Sequence, residues 1–391
     1  MTAERHDVVV AGAGLPGLAL AAALARAGLR VALADRAPLA CAPVDAPSWD
    51  PRVYAISPGS AAFLQRIGAW QSLPVERVAA IESMRIGGDR AGALAFTAYE
   101  LGERALAWIV EERELRAALV AAAHAAGVAV RAPAGFDALA WTAADATLTL
   151  GDGHQLVASL VVGADGLHSW VRRAAGLSGV PRSYGQTALV ATFDCAEAHH
   201  GCARQWFLPG AGVLAWLPLP GRRISIVWSA PDALAAELRA LPVDVLAARV
   251  AAAGEGALGR LQLDGPVAAF PLQYLRLPTS VAHRVALVGD AAHGVHPLAG
   301  QGVNLGLGDA EGLAAVIAER GPVADPGAAV LLARYARRRA EPVLAMQAVT
   351  DGLARLFGAE ASWLRLLRNA GLSAVDRLPL VKRALAQPAL R

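Results

Sequence analysis

At 391 residues the chain exceeds one ordinary domain and can bury a substantial core. Its net charge is only +3, lysine occurs once, at Lys382, and no long basic tract is present, which excludes a nucleic-acid surface. Cys41, Cys195 and Cys202 show neither a disulfide framework nor Cys-x-x-Cys spacing, so a reducing cytoplasm fits best, and no apolar run reaches the ~20 residues of a spanning helix, so any membrane contact is expected to be peripheral.

Asp7 to Ala11 reads as a short apolar strand. Gly12-Ala13-Gly14-Leu15-Pro16-Gly17 follows, then an alanine- and leucine-rich helix to about Ala27 with Gly28 as its cap. A second apolar run, Arg30 to Ala34, ends in Asp35, close to the ~20-residue offset at which an acidic side chain meets a ribose diol. A lone Gly-x-Gly-x-x-Gly is weak in a chain so rich in Ala and Gly. Strand, glycines, helix, strand and acid in that order predict a dinucleotide site, with Gly12, Gly14 and Gly17 letting the backbone approach a pyrophosphate.

Gly212 to Pro218 and Arg223 to Ser229 alternate like strands with one face buried, in a sheet expected to roof the cofactor. Arg284 to Val288 predicts a strand that ends in Gly289-Asp290 and leads into a glycine-rich loop. There Gly300, Gln301 and Gly302 would expose backbone N–H groups at the start of the next helix. Such a terminus stabilises an adjacent anion by ~0.3–2 kcal/mol, and the anion expected is the N1–C2=O edge of a reduced flavin. Asp290 would accept hydrogen bonds from hydroxyls of the ribityl chain or ribose.

From about Pro322 the chain reads as helices, with Arg337, Arg338 and Arg339 on a solvated face. Leu356, Phe357, Trp363, Leu364, Leu366 and Leu367 fall at helical spacing among Arg355, Arg365 and Arg368. This suits core or a subunit interface; the sharper reading is a basic amphipathic surface that meets a membrane or a lipid-handling partner. The pattern lacks a nucleophile elbow, a second Gly-x-Gly-x-x-Gly and a metal-ligand set, since His293-x-x-His296 has no third ligand at plausible spacing. Strand and helix patterns divide the chain into a discontinuous dinucleotide domain (1–71, 101–178 and 270–320), an insertion domain (72–100 and 179–269) and a C-terminal helical segment (321–391).

The chain resembles class A flavoprotein monooxygenases, and within them the ubiquinone-biosynthesis hydroxylases. Besides the N-terminal glycines, the resemblance rests on Arg52-Val53-Tyr54-Ala55-Ile56-Ser57-Pro58-Gly59, on Gly163-Ala164-Asp165-Gly166-Leu167-His168-Ser169 and on Tyr184-Gly185-Gln186-Thr187. Its most specific part is His296-Pro297-Leu298-Ala299-Gly300-Gln301-Gly302-Val303-Asn304. It implies an α/β fold: a Rossmann-like FAD-binding domain of the para-hydroxybenzoate hydroxylase type (GR2-like) with an interleaved α+β substrate domain and C-terminal helices.

The resemblance further implies FAD as cofactor, NAD(P)H as a transient co-substrate and O2 as oxidant, with hydroxylation of a polyprenylated phenol through a C4a-hydroperoxyflavin. Pro297, Gly300 and Gln301 would shape the oxygen pocket. Gly12, Gly14, Gly17, Asp35, Arg52, Asp165, Asp290, Gly302, Val303 and Asn304 would hold FAD. Tyr54, Trp206, Phe207, Trp216 and Trp228 are candidates for the substrate wall. The family usually places Arg, Gln or Asn where Glu112 stands, so Arg113 is a candidate to replace it beside the cofactor. A ubiquinone-biosynthesis complex and peripheral contact with the inner membrane would suit such a substrate, and the oligomeric state is open. The competing readings are a soluble aromatic hydroxylase of specialised metabolism, a flavin reductase that does not activate oxygen, and a non-catalytic member of an assembly.

Overall fold

A computed structural model describes residues 3–39, 48–88, 92–296, 300–321 and 324–358, and beyond them 368, 375–378, 381–383, 387 and 390. Its largest parallel sheet runs in the order Val285–Leu287, Gln155–Gly163, Ala3–Ala11, Val31–Ala34, Ala129–Arg131. Val8, Val9, Val10 and Ala11 are fully buried, as are Ala32, Leu33 and Ala34, which is why these strands read as continuous apolar runs without alternation. Antiparallel strands Ala146–Leu150 and Phe136–Trp141 extend the sheet beside Gln155–Gly163.

Helix Leu15–Arg26 follows the first strand, with Gly14 as its N-cap and Pro16 in its first turn, where the missing N–H costs nothing. It ends before Gly28, whose φ of +86° reverses the chain. Helix Gln301–Ala318 lies against it. Their approach is close: a Cβ on Gly306 would stand 2.7 Å from Pro16 Cγ, and one on Gly289 would stand 3.0 Å from the same atom.

The second sheet runs Leu261–Leu263, Arg182–Cys195, Arg223–Pro231, Gly212–Leu219, Cys202–Leu208, Ser83–Gly87, Ala93–Thr97, with Ala268–Tyr274 also paired to Arg182–Cys195. Alternation divides it into two faces. On one, Leu189, Phe193, Leu214, Ile224 and Ile226 pack with Trp206, Trp216 and Trp228 against helices Asp232–Ala240 and Val243–Ala253. Trp216 is so enclosed that a Cβ on Gly254 would lie 2.1 Å from its Cζ2. These three tryptophans, expected as candidates for a substrate wall, therefore belong to the core under the helices: the two helices supply a second apolar layer that takes the larger aromatic groups. On the other face Phe207, Val213, Ser229, Ala188 and Phe270 stand in one cross-strand row. That face meets a small sheet of Val53–Ile56, Ala107–Glu111 and Ala79–Ile81.

The long helix Ala329–Gly358 contains Pro342 and is anchored by Tyr335, whose hydroxyl donates to Leu287 O at 2.8 Å. Near its end Phe357 stacks on Phe207 with ring centroids 3.6 Å apart, and Arg368 lies over the Phe357 ring. Trp363, Leu364, Arg365, Leu366 and Leu367 lie outside the described residues. Among the described residues no helix is long and apolar enough to cross a membrane.

Candidate cofactor and active site

Because the central strands are parallel, their carboxyl ends open on one edge, and the chain turns that leave them gather the predicted site there. Ala11 leads into the glycine loop, Ala34 into Asp35, Gly163 into Asp165, and Leu287 into Gly289-Asp290. Two of the three loop glycines are forced by the protein itself. Gly12 has φ +113° and a Cβ there would lie 2.3 Å from Ala164 O, while one on Gly17 would lie 2.2 Å from Gly12 O. Gly14 differs: a Cβ would meet only Ala164 O at 3.7 Å and Pro16 Cδ at 4.0 Å. Among the described residues nothing fills the space before it, at the N-terminus of helix Leu15–Arg26, where backbone N–H groups favour an anion.

Asp35 accepts from Ala13 N at 2.5 Å and Ala37 N at 2.7 Å, tying the second strand to the glycine loop. A carboxylate has about four lone-pair positions, so two of them stay open to a ribose diol. Asp165 accepts from Ser169 Oγ, Trp170 N and Val171 N, and so caps helix Trp170–Ala174.

Asp290 makes no hydrogen bond or ion pair among the described residues. Water reaches its carboxylate, yet protein packs around it on the other sides; that crowding raises its pKa, against the opposing pull of His293 and Arg52. It is an acceptor with no partner among the described residues. The neighbouring helix begins at Gly300, whose φ of +65° makes glycine the natural cap, and continues through Gln301, Gly302, Val303 and Asn304. Among the described residues, a Cβ on Gly302 would approach nothing nearer than Val295 Cγ2 at 3.9 Å. Val303 is buried, and Asn304 clamps the Arg52–Pro58 segment by donating to Ala55 O at 2.8 Å and accepting from Ser57 N at 3.0 Å. Pro297, Leu298 and Ala299 lie outside the described residues.

Arg52, which Asp290 attracts, stands 5.1 Å from the Phe270 ring centroid and 3.0 Å from Glu112 Oε2. Crowding alone would depress its pKa, but Tyr54, Glu112, Asp290 and Asp50 outweigh that and hold it above its ordinary value. Tyr54 donates weakly to Glu112 at 3.4 Å. The Glu112 carboxylate is thus neutralised by Arg52.

Arg113 is engaged elsewhere: it donates to Ser48 O at 2.9 Å and pairs with the buried Glu111 and Glu114, which Arg77 also holds. The arginine that reaches the glycine loop is Arg116, one turn further on, donating to Ala13 O at 2.9 Å. Reading the helix face i, i+4 from Glu112 would have found it.

His293 and His296 part company. His293 Nε2 meets Asp309 Oδ2, which also accepts from Gly289 N at 2.9 Å, while Asp309 Oδ1 accepts from Arg339 at 2.6 Å. Burial would raise the Asp309 pKa, but His293 and Arg339 outweigh it and hold the carboxyl below its ordinary value. Arg339 therefore turns inward and is not part of a solvated face, because the buried Asp309 needs a cation.

His296 bonds Gln186 Oε1 at 2.8 Å and packs edge-on against Tyr184, with its Nδ1 buried and unpartnered. Burial pushes its pKa down to about 4, against a weak pull from Asp351. Between pH 6.5 and about 4 the unfolded chain gains a proton that the folded chain refuses, so stability is full above 6.5 and falls by up to about 3 kcal/mol as pH drops through this window. Urea midpoints measured against pH should show that decline in the parent and a flatter one in His296→Asn; equal slopes would remove His296 from the explanation.

Among the described residues no group of three or more His, Cys, Asp or Glu could hold a metal. The site offers two helix N-termini, a free carboxylate, two arginines and an apolar sheet face.

The sequence matches the family described as FAD binding domain over residues 5–351. It is 38% identical over 393 residues to "Ubiquinone hydroxylase UbiL" of Rhodospirillum rubrum, covering 98% of this chain and 89% of that protein. It is 33% identical to "3-demethoxyubiquinol 3-hydroxylase" of Escherichia coli, covering 100% of both chains. Among solved structures, PqsL of Pseudomonas aeruginosa, a probable FAD-dependent monooxygenase, superposes with a TM-score of 0.76 at 25% identity, covering 94% of this chain and 99% of that one.

Proposed function

From the chain's membership of the FAD-binding monooxygenase family, we propose that it is an FAD-dependent, NAD(P)H- and O2-using hydroxylase acting on the ring of a polyprenylated phenol in ubiquinone biosynthesis. The observation that carries this reading is the end-to-end likeness to two ubiquinone hydroxylases, joined to a crevice whose polar groups suit a dinucleotide. Gly12, Gly14 and Gly17 would place the helix Leu15–Arg26 N-terminus at the pyrophosphate, with Arg116 and Arg52 adding positive charge, and Asp35 and Asp290 would receive sugar and ribityl hydroxyls. Asp165, Asn304 and Val303 would act by fixing the turns around that crevice.

FAD supplies the redox chemistry when bound, taking electrons from NAD(P)H and activating O2. The chain orients and shields it. The N-terminus of helix Gln301–Ala318 would favour negative charge at its end, and the row Phe207, Val213, Ala188, Phe270 would present an apolar wall that keeps water from an aromatic ring. Tyr54 would form the polar end of that chamber, held by Glu112. We take 1–71, 101–178 and 270–320 as the flavin unit and 72–100 with 179–269 as the substrate unit, because they contribute most strands of the parallel sheet and of the antiparallel sheet respectively. A polyprenyl substrate would bring the protein to the inner membrane as a peripheral visitor.

Mass spectrometry of quinone intermediates in the source organism, with and without this gene, tests the reading. Deletion should accumulate one under-hydroxylated polyprenyl phenol, and complementation should remove it. An unchanged quinone profile from a yellow, NAD(P)H-consuming protein would instead place the enzyme in specialised metabolism.

A further inference from the structure

A cavity of about 880 Å³ is walled by residues 178–182, by 274–280 at and after the end of the strand Ala268–Tyr274, and by the helix Ala329–Gly358. Its lining includes neither Asp290, Arg52 nor the glycine loop, so it is separate from the cofactor crevice. Arg182, Arg276 and Arg337 line it, and among the described residues none of the three guanidinium groups has an ion pair or hydrogen bond. The one acid among the lining residues, Asp309, is already bound by Arg339, His293 and Gly289 N.

Three solvent-exposed guanidinium groups, unpaired among the described residues, line one hollow, and their planar forks suit phosphate oxygens. The volume far exceeds a phosphate group, and the remaining wall mixes polar groups such as Ser178 and Thr279 with the half-buried Leu277 and Val343 and the solvent-exposed Val180 and Leu344. We propose that this cavity binds a phosphate ester carrying an apolar body, its phosphate on Arg182, Arg276 and Arg337. Such a group can come from a soluble ester or from the headgroup of an anionic lipid. A bound phosphate would be felt at the cofactor crevice through one shared wall, since Asp309 also holds the backbone of Gly289, next to Asp290.

The test uses the flavin-loaded protein and the triple variant R182Q/R276Q/R337Q, in which no internal partner is lost. Calorimetric titration with inorganic pyrophosphate should show binding to the parent and at least tenfold weaker binding to the variant, with equal flavin content in both. Flotation with phosphatidylglycerol vesicles, against phosphatidylcholine vesicles, identifies the source. Selective flotation that pyrophosphate competes away and the variant loses supports the site with a lipid headgroup as ligand; pyrophosphate binding without flotation supports it with a soluble ester. Absence of both, or binding that the triple variant retains at parental strength, overturns the proposal.

Discussion

Asp290→Ala is expected to give a folded, colourless protein whose FAD dissociation constant is ten- to a hundredfold higher than the parent's. The fold should not suffer, because the carboxylate has no partner to lose and water already reaches it; substitutions of that kind usually stay within about 0.5 kcal/mol. The cofactor should, because a hydrogen bond to an ionised acceptor contributes about 1.5–3 kcal/mol, and that range converts to the stated loss. Asp290 titrates above the ordinary carboxyl value, so parental FAD affinity should also fall on acidification as this group takes up its proton, and the alanine variant should lack that step. Asp290→Asn, uncharged but of the same size, should lie between. Fluorescence titration of the apoproteins against pH, with circular dichroism as the folding control, reads all three. Retention of full yellow colour by the alanine variant would remove Asp290 from the cofactor site.

The parts of this molecule that were legible in the sequence are those governed by local rules. Gly12, Gly14 and Gly17 between two apolar strands, and Gly289-Asp290 after a third, announce their turns because backbone geometry leaves few alternatives. What stayed hidden depends on the partner across space. The pattern Arg223 to Ser229 predicts a strand with one buried face; the strand forms, but Ser225 and Ser229 are buried along with Ile224, Ile226 and Trp228, so both faces are covered, and a period of two does not say which face meets helices. Trp206, Trp216 and Trp228 fell on the helix side and Phe207 on the other.

Arginines were harder still. Arg113 and Arg116 look alike in sequence, yet buried Glu111 and Glu114 claim the first while the second reaches Ala13 O. Arg339 is drawn in by Asp309, from which it is separated by 30 residues. A buried charge selects its counter-ion by geometry, and that geometry exists only after folding.

Gly14→Val and Gly12→Ala, two residues apart in the same motif pattern, should fail in opposite ways. Gly14 sits in extended backbone, φ −65° and ψ 168°, which valine adopts readily. Its Cβ would stand 3.7 Å from the nearest protein atom, so the cost to the fold is about 1 kcal/mol, from exchanging a tolerated N-cap residue for a poor one. The branched methyl groups would then occupy the space where a pyrophosphate meets the helix N–H groups, and FAD should be lost from a protein that still melts cooperatively. Gly12→Ala places a Cβ 2.3 Å from Ala164 O at φ +113°, where both the contact and the backbone are strained, and Gly17→Ala does much the same against Gly12 O at 2.2 Å. Those two should lower stability directly, by several times the Gly14→Val cost, and added FAD should not rescue them. Thermal melts with and without FAD separate the outcomes. A Gly14→Val protein that keeps its flavin would show that the open space before this glycine is not where the dinucleotide lies; a Gly12→Ala protein as stable as the parent would show that the strand ends are less tightly joined than the 2.3 Å approach requires.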